Sequence, residues 1–254
     1  MMEIAGRTFV ITGGASGLGR ATAELISEAG GRPLLLDLDD QVEAVAAELG
    51  GGARGVCGDV TSEKDVSSVI ALALDGGGLD VVVNCAGIGG GGRALRRDGP
   101  MPLEVFARII TVNLIGTFNV NRLAAAAMRE KDASPEEERG VIINTASIAA
   151  YEGQIGQVSY ASSKGGIVSM TLPLARELAG LRIRVVTIAP GIFDTPLLGR
   201  LTDEVRHGLA QSVPHPRRIG APPEYAALVR HVVENEMLNG ETIRLDGALR
   251  MAPR

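Results

Sequence analysis

Short runs of consecutive apolar residues recur along the chain at positions 8–11, 33–36, 54–57, 79–83, 141–144, 183–188 and 241–245. Their Val, Ile and Leu fall on successive rather than alternate positions, which predicts strands buried on both faces and so a parallel sheet covered by helices. Between them, positions 18–29, 40–49, 63–74, 103–128, 157–179 and 224–233 repeat their apolar residues at helical intervals. Strict alternation of strand and helix predicts a doubly wound α/β sheet with ligand at the carboxyl ends of the strands, near the switch point between its halves. No repeat or linker divides positions 1–254, so one domain is expected. Three stretches look irregular, at 88–102, 130–140 (with Pro135) and 190–223, and the last, which follows a strand, is placed to cover a cleft.

Composition narrows the class. With 34 Gly among 254 residues but no G-X-Y period, and 45% hydrophobic residues, the chain is neither collagenous nor disordered. A net charge of −5 gives no electrostatic footprint for nucleic acid. No apolar run approaches the length of a membrane span, so no membrane association is expected. Cys57 and Cys85 stand far apart with no secretory signal, which predicts free thiols and a reducing, cytoplasmic setting. Only three lysines occur, Lys64, Lys131 and Lys164, so a lysine in a special place stands out.

The segment Thr12-Gly13-Gly14-Ala15-Ser16-Gly17-Leu18-Gly19 joins the first strand to the first helix. Helix N-terminal amides favour a phosphate, and glycines let a pyrophosphate approach the backbone. In so Gly-rich a chain the motif alone is weak; its position, and Asp37 ending the second strand, give it weight. A carboxylate there accepts from a ribose 2′-OH and repels a 2′-phosphate, which favours NAD over NADP. Capping of the next helix is the alternative for Asp37. Asp59, after the third strand, is expected beside the adenine, again with a helix cap as the alternative.

Tyr160 and Lys164 stand four apart, on one face of a predicted helix. A phenol with a pKa near 10 needs a shift of about 3 units to serve as a base at neutral pH, and a nearby ammonium supplies the right sign.

With Gly13, Gly17 and Gly19, Asn84-Cys85-Ala86-Gly87, and Asn113, Ser147, Tyr160 and Lys164, the chain resembles the short-chain dehydrogenase/reductase family over essentially its full length. Further stretches, among them 11–18, 113–120, 164–173 and 188–198, resemble its type II 3-hydroxyacyl-CoA dehydrogenases, which share Cys85 in place of the Asn common in the wider family. The resemblance implies a Rossmann fold with strand order 3-2-1-4-5-6-7, NAD as cofactor, an acyl-CoA substrate in fatty acid metabolism and a homotetramer. Tyr160 is then the general base, Lys164 lowers its pKa and binds the nicotinamide ribose, Ser147 orients the substrate oxygen, and Asn113 holds a relay water. Helix packing or a kink is the alternative for Asn113. Cofactor contacts are expected from Gly13, Ser16, Gly17, Leu18, Gly19, Asp37, Asp59, Val60, Asn84, Cys85, Ala86, Gly87, Tyr160 and Lys164. Pro190, Gly191, Ile192, Phe193 and Thr195 are expected to wrap the nicotinamide.

Gln154 and Gln157 are either hydrogen-bond donors to a thioester or solvated loop amides. Arg93, Arg96 and Arg97 are either a clamp for coenzyme A phosphates or a solvated basic loop. Asp194, where a small residue is expected, either caps the following helix or adds a carboxylate to the rim. His207, His215 and His231 lack metal-ligand spacing. Other readings are a dehydrogenase of a different secondary alcohol or hydroxysteroid, a 3-oxoacyl carrier protein reductase, which Asp37 disfavours, and a non-enzymatic scaffold.

Overall fold

A computed structural model describes residues 2–131, 134, 137–199 and 202–253; Pro135 of the charged stretch at 130–140 lies outside them. In chain order the elements are β1 (Thr8–Thr12), α1 (Gly17–Glu28), β2 (Arg32–Asp37), α2 (Val42–Leu49), β3 (Arg54–Cys57), α3 (Glu63–Asp75) and β4 (Val81–Asn84). A small antiparallel hairpin follows, β5 (Leu95–Arg96) with β6 (Gly99–Pro100). The second half comprises α4 (Leu103–Ile110), α5 (Thr117–Arg129), β7 (Gly140–Thr145), α6 (Ala149–Glu152), α7 (Val158–Ala179), β8 (Ile183–Pro190), α8 (Asp203–Ser212), α9 (Pro222–Glu234) and β9 (Thr242–Leu245).

Seven strands form one parallel sheet in the order β3-β2-β1-β4-β7-β8-β9. Without the hairpin, which the sequence did not predict, this is the expected 3-2-1-4-5-6-7. The register places Thr12 beside Leu36 and Asn84, and Asn84 beside Asn144, so the carboxyl ends of the central strands lie level. Burial on both faces explains the consecutive apolar positions. Phe9 and Ile11 join the layer that contains Ile26 of α1 and Val229 of α9, whereas Val10 joins the opposite layer with Val66 of α3 and Val120 of α5. Strand β3 departs from the pattern, because it forms an edge and exposes Arg54 and Cys57.

The predicted helix at 103–128 is continuous but not uniform. Between α4 and α5, Thr111–Gly116 winds as a π-helix, and the extra residue per turn lets Asn113 point inward while the flanking helices keep their own packing. By length and mean hydropathy Leu103–Arg129 would suffice to cross a membrane, although it is not an uninterrupted apolar run. Its polar residues are engaged by the protein itself: Asn113 bonds Ile88 and Ser163, and Asn119 donates to the Val60 carbonyl at 2.8 Å.

The stretch at 190–223 is less irregular than its sequence suggests, since it contains α8. That helix buries none of its residues, so it has no apolar stripe to reveal it. Thr202 caps it, accepting from Val205 N–H at 3.4 Å.

Candidate active site

Thr12 and the following loop end at the N-terminus of α1. Gly13 has φ +68°, and a Cβ there would lie 2.8 Å from the Ala86 nitrogen. A Cβ on Gly19 would lie 2.1 Å from the Gly13 carbonyl oxygen, so only glycine lets the loop fold back on the helix. Ser16 stands at the N-cap with its hydroxyl free of a capping bond, and the first turn carries no acid. Open amides, the positive end of the helix dipole and a backbone free of Cβ atoms fit a pyrophosphate.

Asp37 accepts from Ala15 N–H at 2.9 Å and from Asp39 N–H at 3.1 Å. Gln41, not Asp37, stands at the N-cap of α2. The carboxylate therefore pins the glycine loop to the end of β2 while lining the cleft. Arg20 bonds Glu24 at 3.0 Å and Glu48 at 2.9 Å, which draws its charge along the helices. Asp59 accepts from Thr61 N–H at 2.8 Å, and Ser62 caps α3, so the capping alternative for Asp59 does not hold.

One cleft of about 960 Å³ runs from Asp37 and Asp59 past Gly13–Gly19 to Ser147, Tyr160 and Lys164, with Val60, Cys85, Ala86 and Gly87 on its walls. Asn84, expected among the cofactor contacts, lies behind it. That side chain is buried and donates to Asn121 at 2.7 Å and Asn144 at 3.0 Å, holding β4 to β7 and α5.

At the catalytic end, Tyr160 and Lys164 project from the first turns of α7. The Lys164 ammonium is buried, donates to the Thr145 carbonyl at 2.8 Å, and stands 5.9 Å from the centre of the Tyr160 ring. Burial lowers its pKa to about 8. Burial also raises the pKa of Tyr160, and a polar contact with Ser147 pulls it back. The Lys164 ammonium stands over the ring rather than at the hydroxyl and is bonded to Thr145, so in this arrangement burial and Ser147 are the main causes of the phenol's shift. Ser147 Oγ accepts from Ala149 N–H at 3.1 Å. Asn113 is fully buried: its Oδ1 accepts from Ile88 N–H at 2.8 Å, and its Nδ2 donates to the Ile88 carbonyl and to Ser163 Oγ, each at 3.0 Å. A Cβ on Gly87 would sit 3.2 Å from Asn113 Oδ1 and 3.6 Å from Lys164 Nζ, so both groups approach that glycine.

The substrate side differs more from expectation. Gln154 donates from Nε2 to the Ala252 carbonyl at 3.0 Å and so faces the C-terminal tail rather than the cleft. Gln157 lines the cleft, its Oε1 accepting from Gln154 N–H at 3.0 Å. Arg93, Arg96 and Arg97 are all exposed and line no part of the cleft, whose wall there is Gly89–Gly92. Pro190, Gly191, Ile192, Phe193 and Thr195 form the opposite rim. Asp194 caps no helix, since Thr195 precedes the short 3₁₀ turn Pro196–Leu198 and Thr202 caps α8; it pairs with Arg206 of α8 at 2.8 Å. Among the described residues no group of His, Cys, Asp or Glu is placed to hold a metal, and Cys57 and Cys85 are free thiols.

Two contributors escaped the sequence reading. Thr145 offers the carbonyl that Lys164 needs, and Ser163 links Asn113 to the Tyr160 carbonyl, to which it donates at 2.7 Å. Thr12, named there only as the start of the glycine segment, accepts through Oγ1 from Ala86 N–H at 3.1 Å. Ser163 carried a signal by standing between Tyr160 and Lys164.

The chain is similar along its length to known proteins. The chain is 54% identical over 255 residues to 3-hydroxyacyl-CoA dehydrogenase type-2 of Bos taurus, covering 99% of this chain and 98% of that one. The crystal structure of 3-hydroxyacyl-CoA dehydrogenase type-2 from Mycobacterium avium superposes with a TM-score of 0.93 at 38% identity, over 100% of both chains. A 3-ketoacyl-(acyl-carrier-protein) reductase from Brucella melitensis, complexed with NADH, superposes with a TM-score of 0.87 at 31% identity, over 98% of this chain and 100% of that one. The short chain dehydrogenase profile matches residues 7–206, the span that carries the glycine loop, Asp37, Asn113, Ser147, Tyr160 and Lys164. By sheet order, cleft and sequence together, the chain belongs to the short-chain dehydrogenase family.

Proposed function

We propose that this dehydrogenase uses NAD to interconvert a 3-hydroxyacyl-CoA and a 3-oxoacyl-CoA. The observation that carries the reading is the meeting of Ser147, Tyr160 and Lys164 at one end of a cleft whose other end is built for a dinucleotide. Two relatives with dehydrogenase names that specify 3-hydroxyacyl-CoA support the substrate class. Asp37 supports NAD over NADP, since its carboxylate would repel a 2′-phosphate and Arg20 of α1 is engaged by Glu24 and Glu48.

Bound NAD would accept a hydride from the carbinol carbon. The glycine loop and α1 would hold its pyrophosphate, and Asp37 its adenosine ribose. Tyr160 takes the hydroxyl proton during oxidation and returns it during reduction. Ser147 hydrogen-bonds the reacting oxygen and stabilises charge that develops there. Lys164 holds the nicotinamide ribose, and Asn113 orders this end of the site by joining Ile88 to Ser163 under the π-turn. Gln157, alone of the two glutamines, reaches the substrate side. The exposed Leu103, Ile115 and Phe118 on one helical stretch, and Leu172 on α7, support assembly into a homotetramer. The two free thiols suit a reducing, cytoplasmic setting.

A substrate panel tests the reading: 3-hydroxybutyryl-CoA, a free secondary alcohol and a hydroxysteroid, each with NAD and with NADP. The highest kcat/KM is expected for the thioester with NAD. A preference for the free alcohol or the steroid would reassign the substrate, and a preference for NADP would remove the role given to Asp37.

A further inference from the structure

We propose that Tyr225 of α9 is a positioning residue for Lys164, acting through Thr145. Tyr225 heads the fully buried side chains by volume. Packing alone does not require its hydroxyl, because phenylalanine fills the same space, and a buried hydroxyl is costly unless it is bonded. Here it meets Thr145 Oγ1 at 2.7 Å, 80 residues away in the chain. Cys85 Sγ lies 3.7 Å from both oxygens and closes a triangle across the ends of β4, β7 and α9. The carbonyl of the same Thr145 accepts from Lys164 Nζ at 2.8 Å. Tyr225 and Lys164 thus approach the last residue of β7 from helices on opposite faces of the sheet. One grips the threonine side chain and the other its main chain.

The titratable groups facing this path are Cys85 from the end of β4, Tyr160 from α7 and Tyr225 itself. A carbonyl acceptor stabilises the ammonium form of a buried lysine. Loosening Thr145 therefore lowers the Lys164 pKa and withdraws positive charge from Tyr160. The inference rests on Lys164 being the working partner of Tyr160, so its test includes a measurement that needs neither cofactor nor turnover.

With only three lysines in the chain, ¹³C-labelled lysine side chains give few resonances, and Lys164→Arg assigns the one of interest. In Tyr225→Phe that resonance is expected to titrate about half to one pH unit lower, a shift on the scale of one lost hydrogen bond. The acid limb of kcat for alcohol oxidation should move up by a similar amount. An unchanged lysine titration overturns the inference, whatever happens to melting temperature or to kcat at a single pH. Should Tyr225→Phe fail to fold, Thr145→Val and Thr145→Ser decide: the serine, which keeps the hydroxyl, should preserve the parent titration, and equal shifts in both would refute the path. A parent enzyme without NAD-linked turnover would remove the proposed function and leave the lysine titration to judge Tyr225.

Discussion

At the scale of single residues, the site stores unfavourable burial where chemistry needs it. Lys164 is enclosed to 5% exposure with a neutral acceptor and no carboxylate partner, and its pKa falls to about 8. An unfolded lysine titrates near 10.4, so between these values the unfolded chain binds the extra proton and stability rises with pH. The penalty is full below pH 8 and is relieved as pH climbs toward the unfolded value. Lys164→Met should therefore abolish turnover yet stabilise the fold near neutral pH by up to about 3 kcal/mol, less the cost of the orphaned Thr145 carbonyl. Denaturant midpoints at pH 7 and pH 10 check this, and the gain should shrink at the higher pH. A difference between variant and parent that is the same at pH 7 and pH 10 would show that the lysine is not strained by burial. Asp37 and the pair of Tyr160 and Lys164 were legible in the sequence because chemistry restricts which side chains can stand there. The direction of the Tyr160 shift was not, since it depends on where the ammonium points and what it bonds.

At the scale of elements, legibility followed burial. The strands of the main sheet announce themselves through consecutive apolar residues, and α1, α3, α7 and α9 through their buried stripes. Helix α8, the hairpin β5–β6 and the four-residue α6 bury little, so no hydrophobic period marks them. The π-turn at Thr111–Gly116 is hidden for another reason: one extra residue per turn leaves an ordinary helical pattern on either side. Arg184 is the clearest missed signal, a charge inside the apolar strand Ile183–Pro190. Its guanidinium is buried, pairs with Glu138, and donates to the carbonyls of Val232 at 2.8 Å, Val233 at 3.0 Å, Asn235 at 3.1 Å and Leu238 at 2.9 Å. It thereby closes the C-terminal end of α9, the helix that carries Tyr225. Arg184→Met leaves those carbonyls and Glu138 without their partner and should cost about 3 to 5 kcal/mol in equilibrium unfolding. A loss below about 1 kcal/mol would mean that water replaces the guanidinium.

Across the whole molecule, parallel strands with level carboxyl ends bring residues from distant parts of the chain to one cleft. The glycine loop after β1, Asp37 at the end of β2, Asp59 after β3, Cys85–Gly87 after β4, Ser147 after β7 and the rim from the end of β8 all lie at the same edge of the sheet. That convergence made the cofactor side readable from motifs alone. The substrate side was less readable, because Gln154, Asp194 and the arginines at 93, 96 and 97 sit on loops whose course no period fixes. On the function proposed above, this cleft oxidises a 3-hydroxyacyl-CoA with Tyr160 as the base. Its most direct test follows NADH formation from 3-hydroxybutyryl-CoA and NAD in the parent and in Tyr160→Phe. Turnover is expected in the parent, with a loss of about 10²- to 10⁴-fold in kcat for the variant and the fold intact. Turnover in the variant within a few-fold of the parent, or none in the parent, would contradict it.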